Sequence, residues 1–192
     1  DLIRRRWLDN NFYVFNASAN YKKNNLNMTF SGSFSTYSGD HFGEVIWARQ
    51  FGENASIRDR YYQGNGKKKD FSFFTKASYY LRDNIELYAD LQFRKITYNT
   101  NGLTSDLVNM IIDESHSFFN PKLGLSYNLN LDSSFYLSYS RANREPSRSD
   151  YENNPNVKPE QLNDFEMGWR YNKNNLKFNL NTYYMLSVSY TH

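Results

Sequence analysis

The sequence contains no cysteine among its 192 residues, so a disulfide framework and cysteine-based metal sites are excluded. Its formal net charge is only +3, which gives no support for a general nucleic-acid-binding surface. No apolar run approaches the length of about 20 residues that a membrane-spanning helix requires. Barrel strands need only about 9–11 residues each, so a membrane location remains open.

Aromatic residues are abundant in a chain whose average character is hydrophilic. The sequence contains 17 Tyr and 15 Phe, yet its mean hydropathy is −0.83. This combination is unusual for a soluble core. It is expected of strands that direct aromatic and aliphatic side chains toward lipid, and Asn, Ser, Asp and Lys toward a wet interior.

Alternation of apolar and polar residues predicts eight antiparallel strands. Residues 85–100 show it most clearly, because their odd positions begin Ile-Leu-Ala-Leu-Phe while their even positions begin Glu-Tyr-Asp-Gln-Arg. Several segments exceed the usual strand of about 5–6 residues and suit a tilted, membrane-crossing wall. The predicted strands are residues 12–22, 26–37, 71–82, 85–100, 118–129, 134–144, a strand around 165–171, and one that starts at 176.

The predicted connections alternate between short and long. Short polar turns lie at residues 22–25, 83–84, 130–133 and 173–175. Segments 38–70, 101–117 and 145–163 are predicted to be long loops, and the apolar cluster 107–112 to be a helical turn or a lid. Bacterial outer-membrane barrels have this connectivity, with short periplasmic turns and longer extracellular loops. The pattern therefore places the long segments outside the cell.

One hairpin carries a family motif. Residues 139–147 read YSRANREPS, residues 154–160 read NPNVKPE and residues 165–171 read FEMGWRY. The hairpin resembles the barrel of TonB-dependent outer-membrane receptors, which often carry Arg-x-Pro, then Asn-Pro-x-Leu-Lys-Pro-Glu, then Tyr-Glu-Leu-Gly-x-Lys-Tyr. Val157, Phe165, Met167 and Arg170 depart mildly from that pattern.

The resemblance implies which residues of the hairpin are structural. Arg144 and Glu160 flank the motif loop, and we expect them to brace it rather than bind a substrate. The motif residues assigned a structural role are Arg144, Pro146, Tyr151, Pro155, Lys158, Pro159 and Glu160.

The resemblance also implies a fold: an all-β, antiparallel, up-and-down transmembrane β-barrel, present in part as about eight strands of roughly 22. Residues 1–186 are assigned to this barrel. The implied function is active uptake of a scarce nutrient, of the iron-siderophore, haem or cobalamin class, in the outer membrane of a Gram-negative bacterium. The Asn-, Tyr- and Lys-rich composition suggests a Bacteroidetes-like source.

The implied partners follow from that function. They are outer-membrane lipid, a small-molecule nutrient, and a TonB complex that acts through a plug segment not recognised in this chain. A surface lipoprotein over the barrel is left open, and no nucleic acid is expected.

Candidate ligand-binding residues concentrate in segment 38–70. Aromatic rings and guanidinium groups recognise planar or anionic ligands by stacking and by paired hydrogen bonds. A solvated loop whose apolar residues cover one another is the alternative. The candidates are Trp47, Arg49, Arg58, Arg60, Tyr61 and Tyr62.

No catalytic constellation is evident, so the chain is not expected to be an enzyme or to hold a cofactor. The three histidines lie far apart in the sequence, and His116 beside Glu114 supplies too few ligands for a metal site. Two other functions remain open. One is a passive porin-like or adhesive barrel, and the other is a soluble Tyr-rich β-sandwich that binds a ligand.

The two ends of the sequence suggest an internal piece of a longer protein. The start, Asp1-Leu2-Ile3-Arg4-Arg5-Arg6, has neither an initiating Met nor the apolar core of a signal peptide. Residues 187–192 read SVSYTH and are predicted to be a non-native tail that interrupts the last strand.

Overall fold

A computed structural model describes residues 1–188 as eight strands and one short helix. No helix within these residues is long and apolar enough to cross a membrane. The elements are β1 (Leu2–Lys23), β2 (Leu26–Ala48), β3 (Arg60–Arg82), β4 (Ile85–Leu103), β5 (Asn109–Asn128), β6 (Ser133–Arg144), α1 (Arg148–Asn153), β7 (Glu160–Lys173) and β8 (Leu176–Val188).

The strands form a single eight-stranded sheet in sequence order, from β1 to β8. The described pairings of β5 with β6, β6 with β7 and β7 with β8 are all antiparallel. A β-sandwich requires two sheets packed face to face, so the soluble-sandwich alternative is wrong.

The short turns lie where the sequence predicts them. Asn24 and Asn174 adopt positive φ angles of 47° and 52° at the β1–β2 and β7–β8 turns. Asparagine tolerates this left-handed conformation better than most residues, and two-residue hairpins require it. The alternation of short and long connections is therefore present, but its long members are shorter than predicted.

Most of segment 38–70 is strand rather than loop. β2 continues to Ala48 and β3 begins at Arg60, which leaves only residues 49–59 as a connection. In the sequence, the glycines of this segment are typical of a loop. Gly43 instead lies within β2, where its missing Cβ makes room for the rings of Tyr61 and Tyr62.

Segment 101–117 is also mostly strand, because only residues 104–108 connect β4 to β5. Thr104 closes this connection: its N–H donates to the Val108 carbonyl at 2.9 Å, and its Oγ1 accepts from the Val108 N–H at 3.3 Å. The predicted helical turn or lid at 107–112 is wrong. Met110 is buried and Ile111 is exposed, as expected for successive residues of a strand.

Three further boundaries differ from prediction. β1 begins at Leu2 rather than at residue 12, and β7 begins at Glu160 rather than near 165. Segment 145–163 contains helix α1, which the sequence pattern does not predict. Ser187 and Val188 pair with Leu162 and Gln161 in β8, whereas 189–192 lie outside the described residues, so the non-native tail stays a prediction.

Several strands expose apolar side chains between their ends. In β4, Leu87, Leu91 and Phe93 are exposed while the residues between them are partly covered. In β7 and β6, Met167 and its register partner Leu137 are each 56% exposed. In water these side chains would not contribute the hydrophobic stabilisation that burial gives a soluble domain. In lipid, their exposure is the favourable orientation.

Contacts divide the chain into two compact units. The first comprises residues 1–15, 34–71 and 95–116. Its buried side chains include Tyr62, Ile96 and Met110. The second comprises residues 16–33, 72–94 and 117 onward, and its buried side chains include Tyr151 and Val157.

Gly168 in β7 forms a packing site for Tyr136, its register partner in β6. A Cβ at residue 168 would overlap the Tyr136 ring and would lie 2.7 Å from Asn181 Oδ1. The ring has little freedom to move away, because its hydroxyl donates to Asn181 Oδ1 at 3.2 Å and the Arg170 guanidinium lies 5.0 Å from its centre.

We predict that Gly168→Ala destabilises the folded protein by about 1–3 kcal/mol, the usual cost of overpacking. Chemical unfolding in detergent, followed by tryptophan fluorescence, measures this. Gly32→Ala is the matched control, because the nearest atom to a Cβ there is Ser72 O at 4.0 Å. Equal stability of the two variants would show that the Tyr136 contact is not specific.

Candidate functional site

Three strands of the first unit bring cationic and aromatic side chains into one stack. The Arg5 guanidinium lies 4.8 Å from the centre of the Trp7 indole. Trp7 stacks on Phe42, with centroids 6.5 Å apart and planes at 20°. The Arg60 guanidinium lies 3.8 Å from the centre of the Phe42 ring. We call Arg5, Trp7, Phe42 and Arg60 the Arg–aromatic stack.

Both guanidinium groups of the stack are held by polar partners. Arg5 donates from Nε to Glu44 Oε2 at 2.8 Å, and its Nη2 lies 2.8 Å from the same oxygen in an ion pair. Arg60 donates from Nη1 to Gln63 Oε1 at 3.0 Å. Hydrogen bonds and ring contacts together restrict the side-chain rotations of Arg5 and Arg60, so the stack presents fixed donors.

A tyrosine pair lies beside the stack. The rings of Tyr61 and Tyr62 meet edge to face, with centroids 5.1 Å apart. The Arg4 guanidinium lies 5.1 Å from the centre of the Tyr61 ring, and Tyr62 is only 6% exposed. Gly43 of β2 has no side chain to obstruct either ring. Tyr62 therefore serves the packing of this unit.

The structure places four of the six ligand-binding candidates in strands rather than in a loop. Arg60, Tyr61 and Tyr62 open β3 and lie together, and Trp47 is in β2. Only Arg49 and Arg58 lie in the connection 49–59. The loop placement of Trp47, Arg60, Tyr61 and Tyr62 is wrong because the strand ladder extends beyond the predicted strand ends.

Three candidates do not join the cluster within the described residues. Arg49 pairs with Asp1 at 3.3 Å, and both side chains are 78% exposed. Arg58 has a φ of 71°, and its N–H donates to the Val45 carbonyl at 2.7 Å. Trp47 is 46% exposed and makes no ring contact with Tyr61 or the stack.

Five contributors to this region are not predicted from the sequence. The sequence predicts no strand in residues 1–11 and a loop in segment 38–70. It therefore gives no reason to expect contacts between these two segments. The available signal is the basic run of residues 4–6 directly before a tryptophan. The unpredicted residues are Arg4, Arg5, Trp7, Phe42 and Glu44.

The motif hairpin contains an ion pair at the base of its connection. Arg144 ends β6 and Glu160 begins β7; they are register partners, and Arg144 Nη2 lies 2.9 Å from Glu160 Oε2. The Arg144 side chain is 63% exposed, and ion pairs this exposed contribute about 0–1 kcal/mol. The pair is placed to brace the connection, although its energetic contribution is small.

A more protected ion pair joins the same connection to β4. Arg94 donates from Nη1 and Nη2 to the two carboxylate oxygens of Glu145, at 3.1 and 3.3 Å. The two side chains are 27% and 16% exposed. Paired, partly buried hydrogen bonds between charged groups are stronger than an exposed ion pair. Arg94 therefore holds the first residue after β6.

The connection between β6 and β7 contains three buried residues. Pro146, Tyr151 and Val157 are buried, and the Val157 N–H donates to the Asn154 carbonyl at 3.1 Å in a turn that includes Pro155. Pro155 is exposed there, and Lys158 and Pro159 precede β7. Of the motif residues in this connection, Pro146 and Tyr151 are thus buried, whereas Pro155 is exposed.

A capping box formed by Ser147 and Asp150 closes the N-terminus of helix α1. The Asp150 N–H donates to Ser147 Oγ at 3.3 Å, and the Ser147 N–H donates to Asp150 Oδ2 at 2.7 Å. These reciprocal bonds satisfy main-chain donors that a helix start leaves open. The backbone and then the side-chain hydrogen bonds from Ser147 hold the pKa of Asp150 below its ordinary value.

A chain of side-chain hydrogen bonds crosses four strands of the second unit. Gln92 donates to Ser72 Oγ at 3.3 Å and accepts from Asn120 Nδ2 at 2.9 Å. Asn120 Oδ1 accepts from Asn143 Nδ2 at 2.8 Å. These links run from β3 through β4 and β5 to β6. They cross-brace the strands from which the motif connection starts.

An apolar groove of about 490 Å³ lies on the exposed face of the second unit. Leu125, Leu137, Met167, Trp169 and Leu180 are among its lining residues. They lie within strands, away from the long connections, and they are part of the exposed apolar face. The groove is therefore a feature of the exposed apolar side chains and is lined by none of the ligand-binding candidates.

The described residues contain no group of three or more His, Cys, Asp or Glu side chains that could hold a metal ion. His116 and Glu114 both lie in β5.

Comparison with known proteins gives a family and a fold. Residues 3–186 match the family described as TonB dependent receptor-like, beta-barrel. The curated protein sequences give no match. The prediction of an all-β, antiparallel, up-and-down barrel wall, present in part, is confirmed by solved structures of the same fold.

Three solved structures illustrate this likeness. The copper transporter OprC has a TM-score of 0.73 at 10% identity, over 94% of this chain and 30% of OprC. The ferric yersiniabactin uptake receptor FyuA from Yersinia pestis has a TM-score of 0.65 at 14% identity, over 97% of this chain and 30% of FyuA. The ferric citrate transporter FecA has a TM-score of 0.67 at 14% identity, over 95% of this chain and 28% of FecA. The chain thus spans less than a third of each of these three proteins, which are named as transporters or receptors rather than enzymes.

We predict that Glu145→Gln loosens the motif connection. Removing the charge that Arg94 binds should speed local amide exchange over 146–157 by about tenfold, since a hydrogen bond between charged groups contributes about 1.5–3 kcal/mol. Hydrogen–deuterium exchange measures this in the protein that contains this chain. Glu152→Gln, which breaks an i,i+4 pair with Arg148, should change exchange about twofold at most. Equal effects would contradict the role of Arg94.

We predict that acid weakens helix α1. Because the pKa of Asp150 is lowered by folding, its contribution is complete above the unfolded pKa of about 3.9 and is lost as pH falls through the lower, folded value. Exchange protection factors of the α1 amides, measured from pH 6 down to pH 2, should fall in that range. Asp150→Asn should remove the pH dependence, and its persistence would assign it to another group.

Proposed function

We propose that this chain, which belongs to the TonB-dependent receptor family through its β-barrel, forms part of an outer-membrane receptor for active nutrient uptake. The observation that carries the proposal is the family match over residues 3–186. The apolar exposed face of β4, β6 and β7 is compatible with lipid around such a wall. The opposite, hydrogen-bonded face is compatible with a wet interior.

The proposed nutrient is a small molecule of the iron-siderophore, haem or cobalamin class. Such compounds are planar or anionic in part, and rigid guanidinium and aromatic groups recognise these features. Arg60 and Tyr61 are held in place at the start of β3, next to the connection 49–59 that carries Arg49 and Arg58. We propose these residues and Trp47 as ligand contacts, with Tyr62 supporting them from a buried position.

The motif hairpin would supply the support for a second extracellular connection. Arg144, Glu160, Pro146 and Tyr151 keep the segment between β6 and β7 compact. Strand-mounted and braced connections hold their side chains in a narrower range of positions than free loops do. This rigidity suits the recognition of a rare solute at low concentration.

The proposed partners follow from family membership. A TonB complex would supply energy through a plug segment, and lipid of the outer membrane would surround the wall. A surface lipoprotein over the mouth is a further proposed partner. A passive or adhesive barrel is the competing function, and it predicts transport or adhesion that is independent of TonB.

The test is uptake by cells that express the complete gene containing this chain. We expect saturable accumulation of one member of a panel of ferric chelates, haem and cobalamin, and loss of that accumulation when TonB is deleted. Unsaturable, TonB-independent entry would favour the passive barrel. Absence of uptake for the whole panel, with the protein folded in the outer membrane, would contradict the nutrient class.

Substitutions test the proposed contacts on the purified protein. Arg58→Ala with Arg60→Ala should weaken binding of the transported compound by about tenfold or more, the range for lost charge-assisted hydrogen bonds. Arg82→Ala, at the short-turn end of the same strand β3, is the control and should leave affinity unchanged. Equal affinity of all forms would place the ligand elsewhere.

A further inference from the structure

Side-chain contacts in the first unit show which residues of β1 and β2 lie opposite one another. Arg5 pairs with Glu44, and Trp7 stacks on Phe42. In both pairs the two residues are equally far along the chain from the turn at 24–25, as expected of a hairpin without a bulge. Alternate residues of a strand share a face. The odd residues of β1 and the even residues of β2 therefore lie on one face, and the remaining residues lie on the other.

The Tyr61 ring lies on the second of these faces, which we call the tyrosine face. The ring occupies the space that the missing Cβ of Gly43 leaves, and Gly43 is an odd residue of β2. The Arg4 guanidinium, from an even residue of β1, lies 5.1 Å from the centre of the same ring. By the same alternation, Arg6 and the exposed Trp47 also belong to the tyrosine face.

The two faces differ in charge. All three carboxylates of β1 and β2, those of Asp9, Asp40 and Glu44, lie on the face opposite the tyrosine face. Within residues 1–188, neither Arg4 nor Arg6 takes part in an ion pair. Alternate residues of a strand are only about 6.5–7 Å apart, so two positive charges lie side by side with no carboxylate of either strand on their face. An external anion would stabilise this arrangement.

We propose that Arg4 and Arg6 are further contacts of the nutrient and select a ligand that carries negative charge. Contact with the Tyr61 ring restricts the Arg4 guanidinium, and the exposed Trp47 supplies a second ring on the same face. Guanidinium groups bind pairs of anionic oxygens through parallel hydrogen bonds, while the rings contact the apolar body of the ligand. The inference rests on the proposed function and adds to it the sign of the ligand charge.

The test is binding of two iron complexes to the complete protein that contains this chain, purified in a neutral detergent and followed by equilibrium dialysis with radioactive iron. The ferric tris(catecholate) complex is an anion, whereas the ferric tris(acetohydroxamate) complex is neutral. We expect the anion to bind at least about tenfold more tightly, because hydrogen bonds to charged groups contribute more than neutral ones. Equal binding of the two complexes, or binding of neither, would overturn the proposal.

Substitutions assign the charge preference to the two arginines. Arg4→Gln with Arg6→Gln should reduce the ratio of the two affinities to about twofold or less. Lys22→Gln with Lys23→Gln removes the same charge from exposed positions at a short turn and should leave the ratio unchanged. Equal losses in the two double variants would show a general charge effect and overturn the site.

A conservative variant distinguishes the loss of charge from a disturbed fold. Arg4→Lys with Arg6→Lys keeps both positive charges and should retain more of the preference than the glutamine variant does. Equal losses in the lysine and glutamine variants would contradict charge selection. Heat-dependent mobility on gels reports folding of each variant, and single substitutions replace a double variant that does not fold.

Two results separate this inference from the proposed function. A charge preference that depends on Arg4 and Arg6, in a protein that transports none of the nutrient panel, would refute only the proposed uptake. TonB-dependent uptake that the double glutamine substitution leaves unchanged would refute only the role of the two arginines.

Discussion

Pairing of main-chain N–H and C=O groups is the constraint on which the rest of this structure depends. Each strand from β2 to β7 has a neighbour on both sides. In hydrocarbon an unpaired main-chain group costs several kcal/mol, so the ladder must be complete before side chains can face lipid. Once it is, apolar residues such as Leu137 and Met167 can be exposed at no cost in that solvent. The edges of β1 and β8 carry the remaining unpaired groups and are the positions where further strands could add.

The same ladder explains where the candidate site lies. β2, β3, β4 and β5 continue past their apolar stretches, so residues expected in mobile loops are strand residues with fixed directions. The Arg–aromatic stack is a consequence of this extension, because it joins side chains of β1, β2 and β3. Gly43 in the extended part of β2 leaves space for the Tyr61 and Tyr62 rings. Arg94 and Glu145 act similarly for the motif connection, since a rigid strand supplies the guanidinium that holds the first residue after β6.

Sequence periodicity predicted the strand residues next to the short turns well and those next to the long connections poorly. In residues 85–93 one face is apolar and the other mostly polar, so alternation is visible. In residues 38–48 and 60–70 the apolar and polar residues do not separate between the two faces, and the alternation disappears although the ladder continues. Glycine added to the error. Gly43 resembles a loop residue in sequence, but its role is to leave space for two rings that arrive from β3.

By itself, the sequence determined the family, the strand count, the tight asparagine turns and the order of short and long connections. These depend on local periodicity, on turn chemistry and on a motif confined to one hairpin. Only the tertiary structure decided the ends of the strands, the pairing of Arg94 with Glu145 across 51 residues, and the grouping of Arg5 and Trp7 with Phe42 and Arg60. Those features arise where side chains from separate strands meet, and no local pattern records which strands will be neighbours at a given level.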